Sequence, residues 1–349
     1  MKTTFVSTVA LSQTTRLSLM KAQQRLAVAQ QEATTWRYAD VGTSIGFRTG
    51  EAVSLRQDHA RLSSIKEANS IASTRMNMSQ EVVSNFLADA NSFLGTLLAS
   101  RDSEGGPQVA EVEARTRLNT MINGLNTAVN GGYIFAGVNA DVRPMSAYYG
   151  NPPSASRQAV ADAFFAEFGV SQSDPAAAGI SATDMQAFLD TTFADLTADP
   201  AWSTTWSSAS SQNVRSRISL SEMVETSTNA NAAAFRDLIG AYTMVADLGA
   251  TNLSSSAYKA VIDTAGKIIE GAVQKLTDLG AQMGTAQERV KTSDERMTIQ
   301  IGILQKRIVG LEGVDPDEAA TRVTTLLTQI ETSYALTSRI QNLSLLNYI

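Results

Sequence analysis

Proline placement sets the widest limit on this chain. Of its seven prolines, five lie between Pro144 and Pro200, and the others are Pro107 and Pro316. Residues 1–106 and 201–315 contain none. Proline breaks helix interiors, so both flanks are free to form very long helices while the middle is not. The apolar pattern uses that freedom. From Leu55 to Leu97 the positions Leu62, Ile65, Ala72, Met76, Val83, Phe86, Ala90 and Phe93 recur at alternating gaps of three and four, with Asp58, Asn69 and Ser79 as polar exceptions. From Tyr258 to Leu311 the same spacing runs through Ile269, Leu276, Leu279, Met283, Val290, Met297 and Ile308. Such spacing is a coiled-coil seam, and a seam over so many turns is buried only by a partner of similar length. Each long helix is therefore expected to be the other's partner, the first roughly 65 Å long. Leu62, Ile65, Met76, Val83, Phe86 and Phe93 on one side, with Leu276, Leu279, Met283 and Val290 on the other, are the expected intramolecular rod seam.

Composition agrees. Hydrophobic content of 43% is ordinary for a folded chain, and aromatic content of 6% suits long thin helices better than one large core. A net charge of −6 argues against nucleic acid as a partner. There is no cysteine, which excludes disulfides and thiol chemistry. No run approaches a membrane span, and the longest aliphatic run near the start, Val9-Ala10-Leu11, is too short for a cleaved leader.

The ends carry a pattern of their own. Leu19, Ala22, Leu26, Ala29, Ala33 and Trp36 keep seam spacing, and Gly42, Gly46 and Gly50 then interrupt it. Asp315-Pro316-Asp317-Glu318 is a helix start, with proline in the first turn and acidic groups at the positive end of the dipole. Val323, Leu326, Leu327, Ile330 and Tyr334 give that last helix a broad apolar stripe. After Arg339 no charge remains, and Ile340, Leu343, Leu345, Leu346 and Ile349 point in different directions on a helical wheel. Glycines 310 and 313 precede this helix as Gly42–Gly50 follow the first. The mirrored joints suggest that the two terminal helices pair. An end that is apolar all round calls for further partners, so these terminal residues are the expected self-assembly interface.

Between the flanks, Gly105-Gly106-Pro107 turns the chain into a returning helix, and Asn130-Gly131-Gly132 stops that one. Tyr133 to Gly137 reads as strand. Residues 141–212 are rich in Pro, Gly, Ser and Ala, with short helices expected near 156–168 and 182–197 and with Trp202 and Trp206 packed locally. Val214 to Ser227 alternates and reads as strand or hairpin. The fold class is therefore mainly α: a long antiparallel helical bundle built from both chain ends, with a small β-hairpin element and an inserted mixed α/β tip. Its expected divisions are a terminal helical module at 1–45 and 310–349, a rod at 46–140 and 228–309, and an outer domain at 141–227.

No catalytic constellation emerges. His59 is the only histidine, with no second histidine or cysteine to join it. Asp315, Asp317 and Glu318 lack the alternating oxygen ligands of a calcium loop and read as helix-start electrostatics. Gly105-Gly106 and Gly131-Gly132 lack phosphate-loop spacing. Arg16, Lys21, Arg25 and Arg37 read as a solvated face. No cofactor or metal is expected.

Several segments, taken in order, resemble a known family. Ser338-Arg-Ile-Gln-Asn-Leu-Ser-Leu-Leu-Asn-Tyr-Ile349 is similar to the C-terminal signature of bacterial flagellins. Gly132-Tyr-Ile-Phe-Ala-Gly137 resembles a "YLFAG" segment more typical of the flagellin-like hook-associated proteins of the hook–filament junction, the third class of hook-associated protein. Thr228-Asn-Ala-Asn-Ala-Ala-Ala-Phe235 resembles the family's re-entry into its helical region, and Asp278-Leu-Gly-Ala-Gln-Met283 its "vGar.n" stretch. The likeness covers about 1–140 and 228–349. Thr34 to Gly42 departs from the "sTGkrInsa.DDpA" segment of filament flagellins, which disfavours an ordinary filament flagellin. The resemblance implies a structural, extracellular subunit exported through the flagellar type III route without a cleaved leader. It implies tubular assembly with copies of itself and with an adjacent hook-associated protein and flagellin, and an export chaperone at the C-terminal helix. Filament flagellin is the alternative within the class. A non-polymerising coiled-coil secretion or signalling protein is the alternative outside it.

Overall fold

The computed structural model describes residues 8–346, with side chains described from 13 to 339. In chain order the elements are α1 (Thr8–Thr35), α2 (Val41–Ile45), α3 (Thr49–Ser100), α4 (Gly106–Leu125), and the hairpin β1 (Ala128–Val129) and β2 (Gly132–Tyr133). Next come α5 (Ala155–Phe168), α6 (Ala182–Phe188), α7 (Ala194–Thr197), and the hairpin β3 (Arg215–Arg217) and β4 (Met223–Glu225). The helices α8 (Ala233–Asp247), α9 (Ser255–Glu312) and α10 (Pro316–Leu346) complete the fold. It is mainly α, and the two hairpins are separate two-stranded antiparallel sheets. The proline-free flanks hold the longest helices, α3 with 52 residues and α9 with 58.

The chain divides into two compact units. The first holds the residues up to Ser64 and those from Met297 onward. There α1 and α10 pair antiparallel, because Glu32 meets Arg322 while Gln23 meets Tyr334. The first turns of α3 and the last of α9 belong to this unit, since Ala52 and Leu55 bury against Ile308 and Leu311, with Ile45 and Leu304 packed alongside. Gly50 and Gly310 lie within helices, and the break on the amino-terminal side comes at α2 and a 3-10 turn at Gly46–Arg48.

The second unit, Ile65 to Arg296, holds the main core. Its parts of α3 and α9 run antiparallel: Met76 shares a buried cluster with Ala286 and Val290, and the Tyr258 hydroxyl donates to the Ser100 carbonyl at 3.3 Å. Of the seam positions, Leu62 in the first unit and Met76, Val83, Phe86, Phe93, Leu276, Met283 and Val290 in the second are buried. Ile65 and Leu279 are half-buried. Two polar exceptions are buried as well. Asn69 Nδ2 donates to the Ile218 carbonyl (3.0 Å) and to Asp294 Oδ1 (2.7 Å), and Ser293 Oγ donates to the same carbonyl (2.6 Å). The β3–β4 turn is thereby fastened to both helices. Asp58, in the first unit, is exposed.

The sequence pattern sets 141–227 apart; in the structure its aromatic side chains enter the common core. Tyr148, Phe164, Phe188, Trp202 and Trp206 share one buried cluster with Phe93, Leu118, Phe235, Tyr242 and Ile269. Trp202 and Trp206 stack at 5.5 Å, and Tyr148 stacks on Trp206 at the same centroid distance. Short segments of low periodicity cannot bury rings this large by themselves, so they borrow a helical floor. The expected helix at 182–197 contains a π turn at Leu189–Phe193, which brings Leu189 and Phe193 into that core. The expected strand at Tyr133–Gly137 is paired only at Gly132–Tyr133, and Ala136 bridges Asn229 instead.

Phe235 holds this unit together through edge-on contacts with Phe86 (5.9 Å) and Phe135 (5.6 Å), fully buried. Phe235→Ala is expected to destabilise the unit by about 3–5 kcal/mol. Urea unfolding followed by Trp202 and Trp206 fluorescence measures it, and an unchanged midpoint would contradict this role for the ring.

Candidate assembly surface

The pairing of α1 with α10 begins from small side chains. Ala22 and Ala29 on α1 and Ala319 on α10 are buried, so the two backbones approach closely. Leu19, Leu26 and Ala33 on α1 and Val323 and Leu326 on α10 are half-buried along the same seam, and Ile330 is buried. Among the expected interface residues, these form the contact between the two helices of one chain. Trp36, Leu327 and Tyr334 are exposed, Trp36 at 64%. Trp36 leaves the seam because α1 ends at Thr35 and the next residue turns left-handed, at φ 57°. Tyr334 still reaches α1, its hydroxyl accepting from Gln23 Nε2 at 2.9 Å. Ile349 lies outside the described residues, as do the side chains of Ile340, Leu343, Leu345 and Leu346.

Other exposed residues were not picked out by the seam pattern. Leu17, Met20 and Val28 on α1 and Leu336 on α10 are exposed. Leu17 and Met20 fall on roughly the opposite side of α1 from Ala22, whereas Val28 lines a groove between α1 and α10. Helix α1 therefore keeps exposed apolar side chains beyond those that α10 covers.

Where the helices meet α2 and α9, the chain forms a clasp. The Tyr38 N–H donates to the Glu312 carbonyl (3.0 Å), the Val314 N–H donates to the Trp36 carbonyl (3.1 Å), and Arg37 bridges Gly313 in antiparallel fashion. Two buried carboxylates tie it down. Glu312, with no exposed side-chain surface, accepts from Arg56 Nη2 at 2.6 Å and lies 3.8 Å from Arg37. Glu32 accepts from Arg322 Nη1 (3.1 Å) and from the Ala39 N–H (3.3 Å). Asp40 caps α2 by accepting the Thr43 N–H (3.1 Å), a bond that holds its carboxyl below the ordinary carboxylate range. The mirrored glycines marked this joint in the sequence. Glu312 had a signal of its own, a charge four residues after Ile308 on a helix whose neighbouring positions are apolar.

His59 is half-buried on α3, in the same unit. Among the described residues no group of three or more His, Asp or Glu side chains is placed to hold a metal. Nor is any described helix long and apolar enough to cross a membrane. What the unit offers is a rigid two-helix element with uncovered apolar side chains and a charged latch at its base. The Arg56–Glu312 bond is charge-assisted, and with Arg56 half exposed its loss costs the bond itself and not a stranded buried charge. Glu312→Gln is expected to loosen the clasp by about 1–3 kcal/mol. Hydrogen exchange at the Tyr38 and Val314 amides should then accelerate tenfold or more; unchanged exchange there means the carboxylate does not hold the joint.

Comparison with known proteins bears on this unit directly. The bacterial flagellin N-terminal helical region matches residues 6–140, and the bacterial flagellin C-terminal helical region matches residues 267–349. Among curated proteins no match is found. The two matched regions take in α1, most of α9 and all of α10, and together they span well over half of the chain. With both terminal regions present in order and paired in one unit, the chain belongs to the bacterial flagellin family, whose members are structural subunits that assemble into flagellar polymers.

Proposed function

We propose that this chain is the flagellar subunit that joins hook to filament, built into place through α1 and α10 after export by the flagellar type III route. The observation that carries the assembly reading is the apolar surface of α1 that α10 leaves uncovered. Leu17 and Met20, turned away from Ala22, and Val28, in the groove between the two helices, remain exposed. Burying a large aliphatic side chain is worth roughly 1.5–3 kcal/mol, so a few such residues against a neighbour stabilise an assembled state. Leu327, Tyr334, Leu336 and Trp36 extend the surface available to that neighbour. Ile340, Leu343, Leu345, Leu346 and Ile349 complete it in this reading, and an export chaperone covers the C-terminal helix before assembly.

The junction, rather than the filament, is favoured by two segments. Gly132 to Gly137 resembles a segment more typical of junction proteins, and Thr34 to Gly42, which departs from the segment of filament flagellins, supplies part of the clasp. The partners are then copies of the chain, flagellin on one side and another hook-associated protein on the other. Electron microscopy of a strain lacking the chain is expected to show hooks without filaments, and immunogold should label only the filament base. Label along the whole filament would identify a filament flagellin instead. Normal filaments in the deletion strain, with no label on the flagellum, would remove both readings and leave a non-polymerising coiled-coil protein.

A further inference from the structure

Ser79 breaks the apolar seam of α3, yet it is only 2% exposed. Asn69, the other buried exception on that helix, uses its amide to hold the β3–β4 turn. Ser79 makes no such bond: among the described residues its hydroxyl has no hydrogen-bond partner. One turn earlier, on the same face, stands Arg75. Its Nε is buried and likewise without a partner, and no described carboxylate pairs with its guanidinium.

Both side chains line a cavity of about 120 Å³ in the second unit. Tyr133 of β2 lines it too, as do Ser216, Thr226 and Ser227 on and beside the β3–β4 hairpin. Ser227 Oγ accepts the Val214 N–H (2.8 Å), which leaves the hydroxyl proton to donate. No Asp or Glu lines the cavity, and Arg75 is the one charged residue in its wall. The arginine is closely fitted. A Cβ on Gly132 would lie 2.7 Å from Arg75 Nη2, so the guanidinium occupies room that only glycine leaves.

A half-buried cation without a counter-charge, beside an unused buried hydroxyl, is an arrangement that an anion completes. We propose that this cavity binds one small inorganic oxyanion of the sulfate or phosphate class, with Arg75 as its charge partner and Ser79 as a neutral donor. The cavity is far smaller than the pockets that hold drug-sized ligands, which sets aside a nucleotide. Hydroxyls on several walls suit an ion with oxygens in every direction better than a planar carboxylate. Bound there, the ion links α3 to β2 and to the β3–β4 hairpin.

The test titrates the purified full-length chain with sodium sulfate, against sodium chloride at matched ionic strength. It is read at the Arg75 Nε–H resonance by heteronuclear NMR, with Arg75→Lys used to assign the signal. Melting temperature is not the readout, because sulfate stabilises folded proteins nonspecifically. The expected result is a saturable shift of that resonance with sulfate and none with chloride. By calorimetry, Arg75→Gln should weaken sulfate binding at least tenfold, and Ser79→Ala by about threefold to tenfold. Arg215→Gln, which alters an exposed arginine outside this cavity, should leave it unchanged. Circular dichroism checks that each variant is folded, and the wild-type resonance decides the matter should Arg75→Gln fail to fold. An Arg75 signal that sulfate does not move overturns the proposal. So does sulfate binding that survives in folded Arg75→Gln, or that falls equally in Arg215→Gln. Acetate binding more tightly than sulfate overturns the choice of ion.

Discussion

A helix packed against one partner can hide one side only, and in the first unit this geometry governs what the ends of the chain can do. Helix α1 uses its alanine-rich side to approach α10 closely, with Ala22 and Ala29 buried and Ile330 answering from the other helix. Leu17 and Met20, turned away from that side, stay in water, and Val28 stays exposed in the groove between the helices. Apolar area is thus left uncovered within the pair, without any change in the fold.

The base of that pair shows how charge is used where the helices end. Glu32 and Glu312 are buried, yet their arginine partners Arg322, Arg37 and Arg56 are only partly so. A carboxylate inside and a guanidinium at the surface keep the desolvation penalty to one member of each pair. The short backbone pairing of Trp36–Tyr38 with Glu312–Val314 then fixes where both terminal helices leave the body of the unit.

Much of this was legible beforehand, and for a physical reason. Seam spacing sustained over many turns calls for burial along one face, and the named seam positions from Leu62 to Phe93 and from Leu276 to Val290 are buried or half-buried. Proline and glycine placed the joints, and the alternation in Val214–Ser227 foretold the β3–β4 hairpin. The rest depended on contacts distant in sequence. Nothing local in residues 141–212 reveals that Phe164, Phe188 and Trp202 share a core with Phe235 and Tyr242. Trp36 fits the seam by spacing but lies one residue past the end of α1, and a change of backbone hand takes it away.

The left-handed backbone at Trp36 carries a consequence beyond the clasp. Glycine adopts that conformation freely, whereas a large L-residue there stores on the order of 1–3 kcal/mol of strain. The indole is 64% exposed, so little contact inside its own chain offsets that strain. Only glycine would escape that strain, because the Cβ and not the ring causes it; the backbone bonds from the Trp36 N–H to Glu32 and from the Val314 N–H to Trp36 are what keep the corner in this hand.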